Sequence, residues 1–222
     1  MKSTLILCFL FTSHVFMAQE FLTPADLFSK KKVSYITLQD GTELVGFIDD
    51  IDRKKGLIEE VTLEMDGVKK KRKLKPEEIK HMYLVPSGFD KFGDFMEKME
   101  DATRWNEDKS AHAQHIKDGY VFFETTAVMV KKKKMNLLLQ LLNPGFAEKI
   151  KVYYDPYAAE TMSFGVGGIN VVGGDAKSYY FKKGNAVAYR MFKKNYDKEF
   201  ANLYGDCASL KSTFKDDIRW SK

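Results

Sequence analysis

The 222-residue chain carries 36 Lys+Arg against 31 Asp+Glu, a formal net charge of +5, with 44% hydrophobic and 30% charged residues. These proportions belong to a globular chain. They exclude a disordered polymer, a collagen-like repeat and a multi-span membrane protein.

Residues 1–18 read as an export signal: Lys2, an apolar run from Leu5 to Phe11, then the small Ala18 before Gln19-Glu20. The apolar run is far short of the ~20 residues that cross a bilayer as a helix. No transmembrane span is therefore expected after its removal, and the location expected is periplasmic, outer-membrane-associated or secreted. Removing the signal also removes Cys8 and leaves Cys207, so no intrachain disulfide staples the fold. Stability must then come from buried apolar surface.

A polar lead follows, in which Thr23-Pro24-Ala25-Asp26 suggests a helical turn. From Val33 the period changes to two. Tyr35, Thr37 and Gln39 alternate with Ile36 and Leu38, and Asp40-Gly41 marks a turn. Leu44 to Ile48 is the return strand, and Gly46 inside it signals a bulge or a close backbone approach. Further strands are expected at Leu57 to Met65, at Val68 to Leu74 after the Asp66-Gly67 turn, and at His81 to Val85. Phe92, Phe95, Met96 and Met99 fall at helical spacing over residues 90–105, whereas residues 106–118 are polar and read as a loop or frayed helix end.

The second half opens with a β-branched and aromatic run, Tyr120 to Val130. Leu137 to Leu142 is too short to show a period, and Ile150 to Tyr154 is extended, so strand–turn–strand is the expectation around Asn143-Pro144-Gly145. Residues 164–174 are glycine-rich. Ser178 to Phe181 and Ala186 to Phe192 form a hairpin pattern, Asn195 to Gly205 frames a short helix, and Leu210, Phe214 and Ile218 suggest another. The fold class expected is α+β, mainly β. Residues 19–86 form a small antiparallel barrel-like domain and 87–118 a helical connector. Residues 119–222 form a second antiparallel β region with C-terminal helices.

Candidate chemistry is sparse. His112 and His115 stand at i, i+3 and can share a helix face toward a divalent metal, but the zinc-protease glutamate is missing and solvated linker histidines fit better. Gly165 to Asn170 lacks the last glycine of a dinucleotide fingerprint. Cys207 has Asp206 beside it, which opposes a reactive thiolate and favours packing. Asp49-Asp50 and Glu59-Glu60 lie near turns as solvated carboxylates. No catalytic residue and no cofactor is assigned. Two surface readings remain. Tyr153, Tyr154, Tyr157, Tyr179 and Tyr180 cluster near lysines and can stack on a ligand. Lys69, Lys70, Lys71, Arg72 and Lys73, and the run Lys131, Lys132, Lys133 and Lys134, can hold a polyanion, although charge-guarded strand ends are the favoured explanation of such runs.

Three stretches together resemble a family of exported Bacteroidota proteins with no established activity. They are Tyr35-Ile36-Thr37-Leu38-Gln39-Asp40-Gly41-Thr42 with Gly46-Phe47-Ile48, Leu74-Lys75-Pro76-Glu77-Glu78-Ile79-Lys80, and Tyr180 to Gly184 through Phe200, Leu203 and Gly205-Asp206-Cys207. The resemblance implies a cell-envelope protein and carries over no catalytic residues. The function expected is a non-enzymatic envelope or secreted module that binds a protein partner or a surface polymer, with no nucleic-acid partner. The alternatives are a hydrolase with spatially assembled carboxylates or a His-metal site, and polyanion binding through the lysine runs.

Overall fold

The structure, a computed structural model, describes residues 21–87, 110–157, 178–191 and 195–208. The export signal, the helix expected over 90–105, the glycine-rich segment and the last expected helix lie outside the described residues.

The chain is mainly β. Its strands are β1 (Val33–Leu38), β2 (Glu43–Lys54), β3 (Leu57–Glu64), β4 (Arg72–Leu74), β5 (Ile79–Leu84), β6 (Val121–Val130), β7 (Lys133–Leu141), β8 (Ile150–Tyr154), β9 (Tyr179–Lys183) and β10 (Ala188–Arg190). Among the described residues they form one ten-stranded sheet in the order β10-β9-β8-β7-β6-β5-β1-β2-β3-β4, and β10 returns to pair with β6. Strands β6 to β10 thereby close a five-stranded barrel, with β1 to β5 as outer strands. Neighbours in this barrel run antiparallel until the closing β10–β6 pair, which is parallel. An odd number of alternating strands leaves the first and last pointing the same way. Closure therefore falls in the C-terminal half, whereas the sequence pattern had pointed to the N-terminal strands.

Strand β6 serves two partners along one edge. Val121 to Glu124 pair with β5, and Val128 and Met129 pair with β10, while the other edge is paired to β7 from Phe122 to Val130. Apolar side chains consequently leave both faces of β6 and β7. Val121, Phe123 and Leu138 join the core under the outer strands with Ile36, Leu63, Leu74 and Met82. Phe122, Val128, Leu137, Leu139 and Leu141 join the barrel core with Tyr153 and Tyr180. Each fully buried Leu, Ile or Met contributes about 1.5–3 kcal/mol. A strand buried on both faces shows no alternation, which is why Leu137 to Leu142 had no readable period.

Two glycines mark close approaches. A Cβ on Gly46 would stand 2.3 Å from the Glu64 carbonyl oxygen, so β2 can cross β3 this tightly only with glycine there. Lys55 and Gly56 form the β2–β3 turn with φ of 53° and 77°, the left-handed pair that a two-residue hairpin needs. The lead before β1 has no regular structure beyond the Phe28–Pro86 bridge, and the helical turn expected at 23–26 does not form. Buried Gln140 takes its place as an anchor: its Oε1 accepts from the Ala25 N–H at 2.8 Å and its Nε2 donates to the Thr23 carbonyl at 3.1 Å. Strand pairing before the β4 segment is also shorter than expected, covering Arg72–Leu74 in place of Val68 to Leu74.

Helix α1 (Ser110–Lys117) occupies part of the stretch that read as a loop or frayed helix end, within the expected 87–118 connector. It ends where the Gly119 and Tyr120 N–H groups donate to the Ile116 and His115 carbonyls, at 3.1 and 2.9 Å. Helix α2 (Tyr196–Tyr204) follows the expected frame. The Lys183 ammonium satisfies its last turn, donating to the Leu203 carbonyl at 2.7 Å and to Asp206 Oδ1 at 2.7 Å.

Candidate functional site

Register brings residues from seven strands into one row. Tyr35 is paired with Tyr83, Tyr83 with Phe122, Phe122 with Leu141, Leu141 with Tyr153, Tyr153 with Tyr180, and Tyr180 with Arg190. The row begins beneath α1 and continues around the barrel interior. Two residues further along each strand, on the same face, lies a second and polar row. It contains His81 paired with Glu124, and Lys151 paired with Lys182.

The polar row is a connected network. The Lys151 ammonium donates to both Glu124 oxygens at 2.7 and 3.0 Å, and the Tyr153 hydroxyl donates to Glu124 Oε1. Lys182 Nζ donates to Thr126 Oγ1 at 2.9 Å. Tyr153 is fully buried, Glu124 keeps 18% of its side chain exposed and Lys151 keeps 34%. Burial, followed by the Glu124 charge, pushes the Tyr153 phenol well above its ordinary value. It is a donor and not a base. At the other end of the barrel, Asp155 is fully buried and accepts from Ser178 Oγ, the Arg190 guanidinium and the Tyr157 N–H. Burial raises its carboxyl pKa, against the lowering pull of these donors.

The histidine pair lies on one face of α1, as the i, i+3 spacing implied, and that face packs on aromatic rings. The His112 Nδ1 and the Tyr83 hydroxyl are 2.8 Å apart, and His115 stacks between Tyr35 and Tyr83 with centroids 4.4 and 4.5 Å away. Burial lowers the pKa of His115 and of His81, and pushes the Tyr83 phenol up to about 12. Among the described residues, no three His, Cys, Asp or Glu side chains converge as a metal set.

The expected tyrosine surface divides. Tyr153 and Tyr180 are 0% and 1% exposed inside the barrel, so neither is open to a stacked ligand. Tyr154 and Tyr179 are cross-strand partners on the opposite face and remain half-buried. Tyr157 lies beside the Arg190 guanidinium, 6.0 Å from centroid to Cζ, with Tyr180 at 5.5 Å.

The two lysine runs also differ. In the first, Lys71 pairs with Asp49 at 2.8 Å and Lys73 with Glu60 at 2.5 Å. These contacts also engage Asp49 and both members of the Glu59-Glu60 pair, with Glu59 reaching Lys54 at 3.7 Å. In the second, Lys131 and Lys132 form the turn of the β6–β7 hairpin and Lys133 and Lys134 begin β7. All four are exposed, and none makes an ion pair among the described residues. Met129 and Met135, just below the turn, are each 38% exposed.

Sequence reading missed Glu124, Thr126, Lys151 and Lys182. The available signal was parity: Glu124 shares the strand face of Phe122, Lys151 that of Tyr153, and Lys182 that of Tyr180. Charged groups on a core-facing parity mark a polar interior. Among the described residues no helix is long and apolar enough to cross a membrane. No family model, curated protein or solved structure matches this chain.

Proposed function

We propose that this protein is an exported, non-enzymatic binding module that docks on an anionic polymer of the cell surface through its β6–β7 hairpin. The observation that carries the reading is the hairpin's four adjacent lysines, exposed and without carboxylate partners among the described residues. Exposed ammonium groups keep their hydration and gain by displacing counterions from a polyanion, so binding costs little desolvation. The Lys69–Lys73 run is a weaker candidate because Lys71 and Lys73 are already held by Asp49, Glu64 and Glu60. Export is supported by the signal-like residues 1–18 and by the resemblance to envelope proteins.

Retention on an immobilised sulfated polysaccharide tests this. The protein should be retained at low salt and released as salt rises, and replacing Lys131 to Lys134 together by serine should abolish most retention. Neutralising Lys69 and Lys70 should change it little. Retention that ignores salt, or that survives loss of the hairpin lysines, contradicts the proposal.

A further inference from the structure

We infer that the polar row inside the barrel is a binding site for a small oxyanion group, a carboxylate or a phosphate, received by Lys182 and Lys151. The two lysines are direct cross-strand partners on the inner face of β8 and β9. Like charges placed directly opposite each other destabilise a sheet. Glu124 is the carboxylate the network offers, and it is fully engaged: Lys151 holds both oxygens and Tyr153 donates to one of them. Lys182 is left with a neutral acceptor, Thr126 Oγ1, on a residue only 4% exposed. An ammonium has three protons to donate, and among the described residues this one gives one of them to protein. The network therefore carries one positive charge in excess, next to a hydroxyl and a phenol, in a partly dehydrated barrel where a charge-assisted hydrogen bond is strong. An oxyanion beside Lys182 would neutralise the excess and relieve the lysine–lysine repulsion. This site is separate from the hairpin tip and does not depend on polymer binding.

The test uses the full chain titrated with inorganic phosphate and, separately, with acetate, against chloride at matched ionic strength, followed by amide chemical shifts. Saturable shifts are expected at Lys151, Tyr153 and Lys182. Lys182→Met should weaken binding about tenfold or more, the loss of one charged hydrogen bond, while Lys182→Arg should retain it. Unliganded Lys182→Met should be at least as stable as wild type, because it removes repulsion; a purely structural lysine predicts the opposite. If Lys182→Met does not fold, Lys182→Gln carries the same binding expectation. Tighter phosphate binding assigns a phosphate-bearing ligand, and tighter acetate binding a carboxylate. Absence of saturable shifts in wild type, or equal affinity in Lys182→Met, overturns the inference. The hairpin serine variant should bind the small anions as wild type does, whatever becomes of its polymer binding.

Discussion

Gly56→Ala perturbs the point where the outer strands meet the barrel. Gly56 has φ of 77°, and an ideal Cβ there stands 2.2 Å from the Pro156 carbonyl oxygen and 2.9 Å from the Pro156 carbonyl carbon. Two costs add. A side chain in the left-handed region costs about 1–2 kcal/mol, and overpacking against backbone that cannot swing away costs about 1–3 kcal/mol. Pro156 follows Asp155, which is fixed by Ser178 and Arg190, so the barrel side has little room to yield. The control is Gly67→Ala, whose φ of 75° is almost the same and whose Cβ would meet nothing within 4 Å. That variant bears the conformational cost alone, partly offset by about 0.4–1 kcal/mol of lost unfolded-state entropy. Urea unfolding should place Gly56→Ala about 1–3 kcal/mol below Gly67→Ala, through a lower midpoint at unchanged slope. Equal losses in the two variants would refute the contact between the β2–β3 turn and Pro156.

Three further outcomes follow from single side chains. Gln140→Leu should cost about 1–3 kcal/mol and remove hydrogen-exchange protection at Ala25, whose N–H it accepts; unchanged protection there would show that the lead is held by other contacts. Lys183→Met should cost about 1 kcal/mol through the lost bond to the Leu203 carbonyl. It should also let the Asp206 carboxyl, held low first by its hydrogen bond to Lys183, rise toward its ordinary 3.8. Asp206's stabilisation is present above that ordinary value and lost as pH falls through the lower folded one, so the gap between wild type and variant should narrow in acid. Burial lowers the His115 pKa from 6.5, so below that pH the unfolded chain takes up a proton that the folded chain declines, and stability falls. His115→Phe keeps a ring against Tyr35 and Tyr83 and should flatten that part of the pH–stability profile; an unaltered slope would contradict the assignment.

What the sequence made legible was local. Alternation in Val33–Leu38, the Asp40-Gly41 and Asp66-Gly67 turns, and the glycine within β2 all report backbone geometry set by immediate neighbours. Barrel closure was not legible, because the β10–β6 pair joins residues far apart in the chain and rests on only two residue pairs. Helix α1 falls inside the expected 87–118 connector, but its own stretch could not be told from a loop because its amphipathicity is weak: one face is histidine, which no hydrophobic pattern registers. Tyr153 and Tyr180 looked like surface aromatics because lysines flank them. Those lysines turn inward to Glu124 and Thr126, so proximity in sequence to charge did not mean exposure. The hairpin lysines were visible as a run, and what separates them from Lys69–Lys73 is the placement of acids across the strands, a property of register.

The docking account is tested most directly by mapping amide chemical shifts as a sulfated oligosaccharide is added to the full chain. The account predicts shifts concentrated at residues 130–135, around the β6–β7 turn, that fade as salt is raised. Shifts centred on Lys69–Lys73 or on Tyr154 and Tyr179, or no shifts at all, would contradict it.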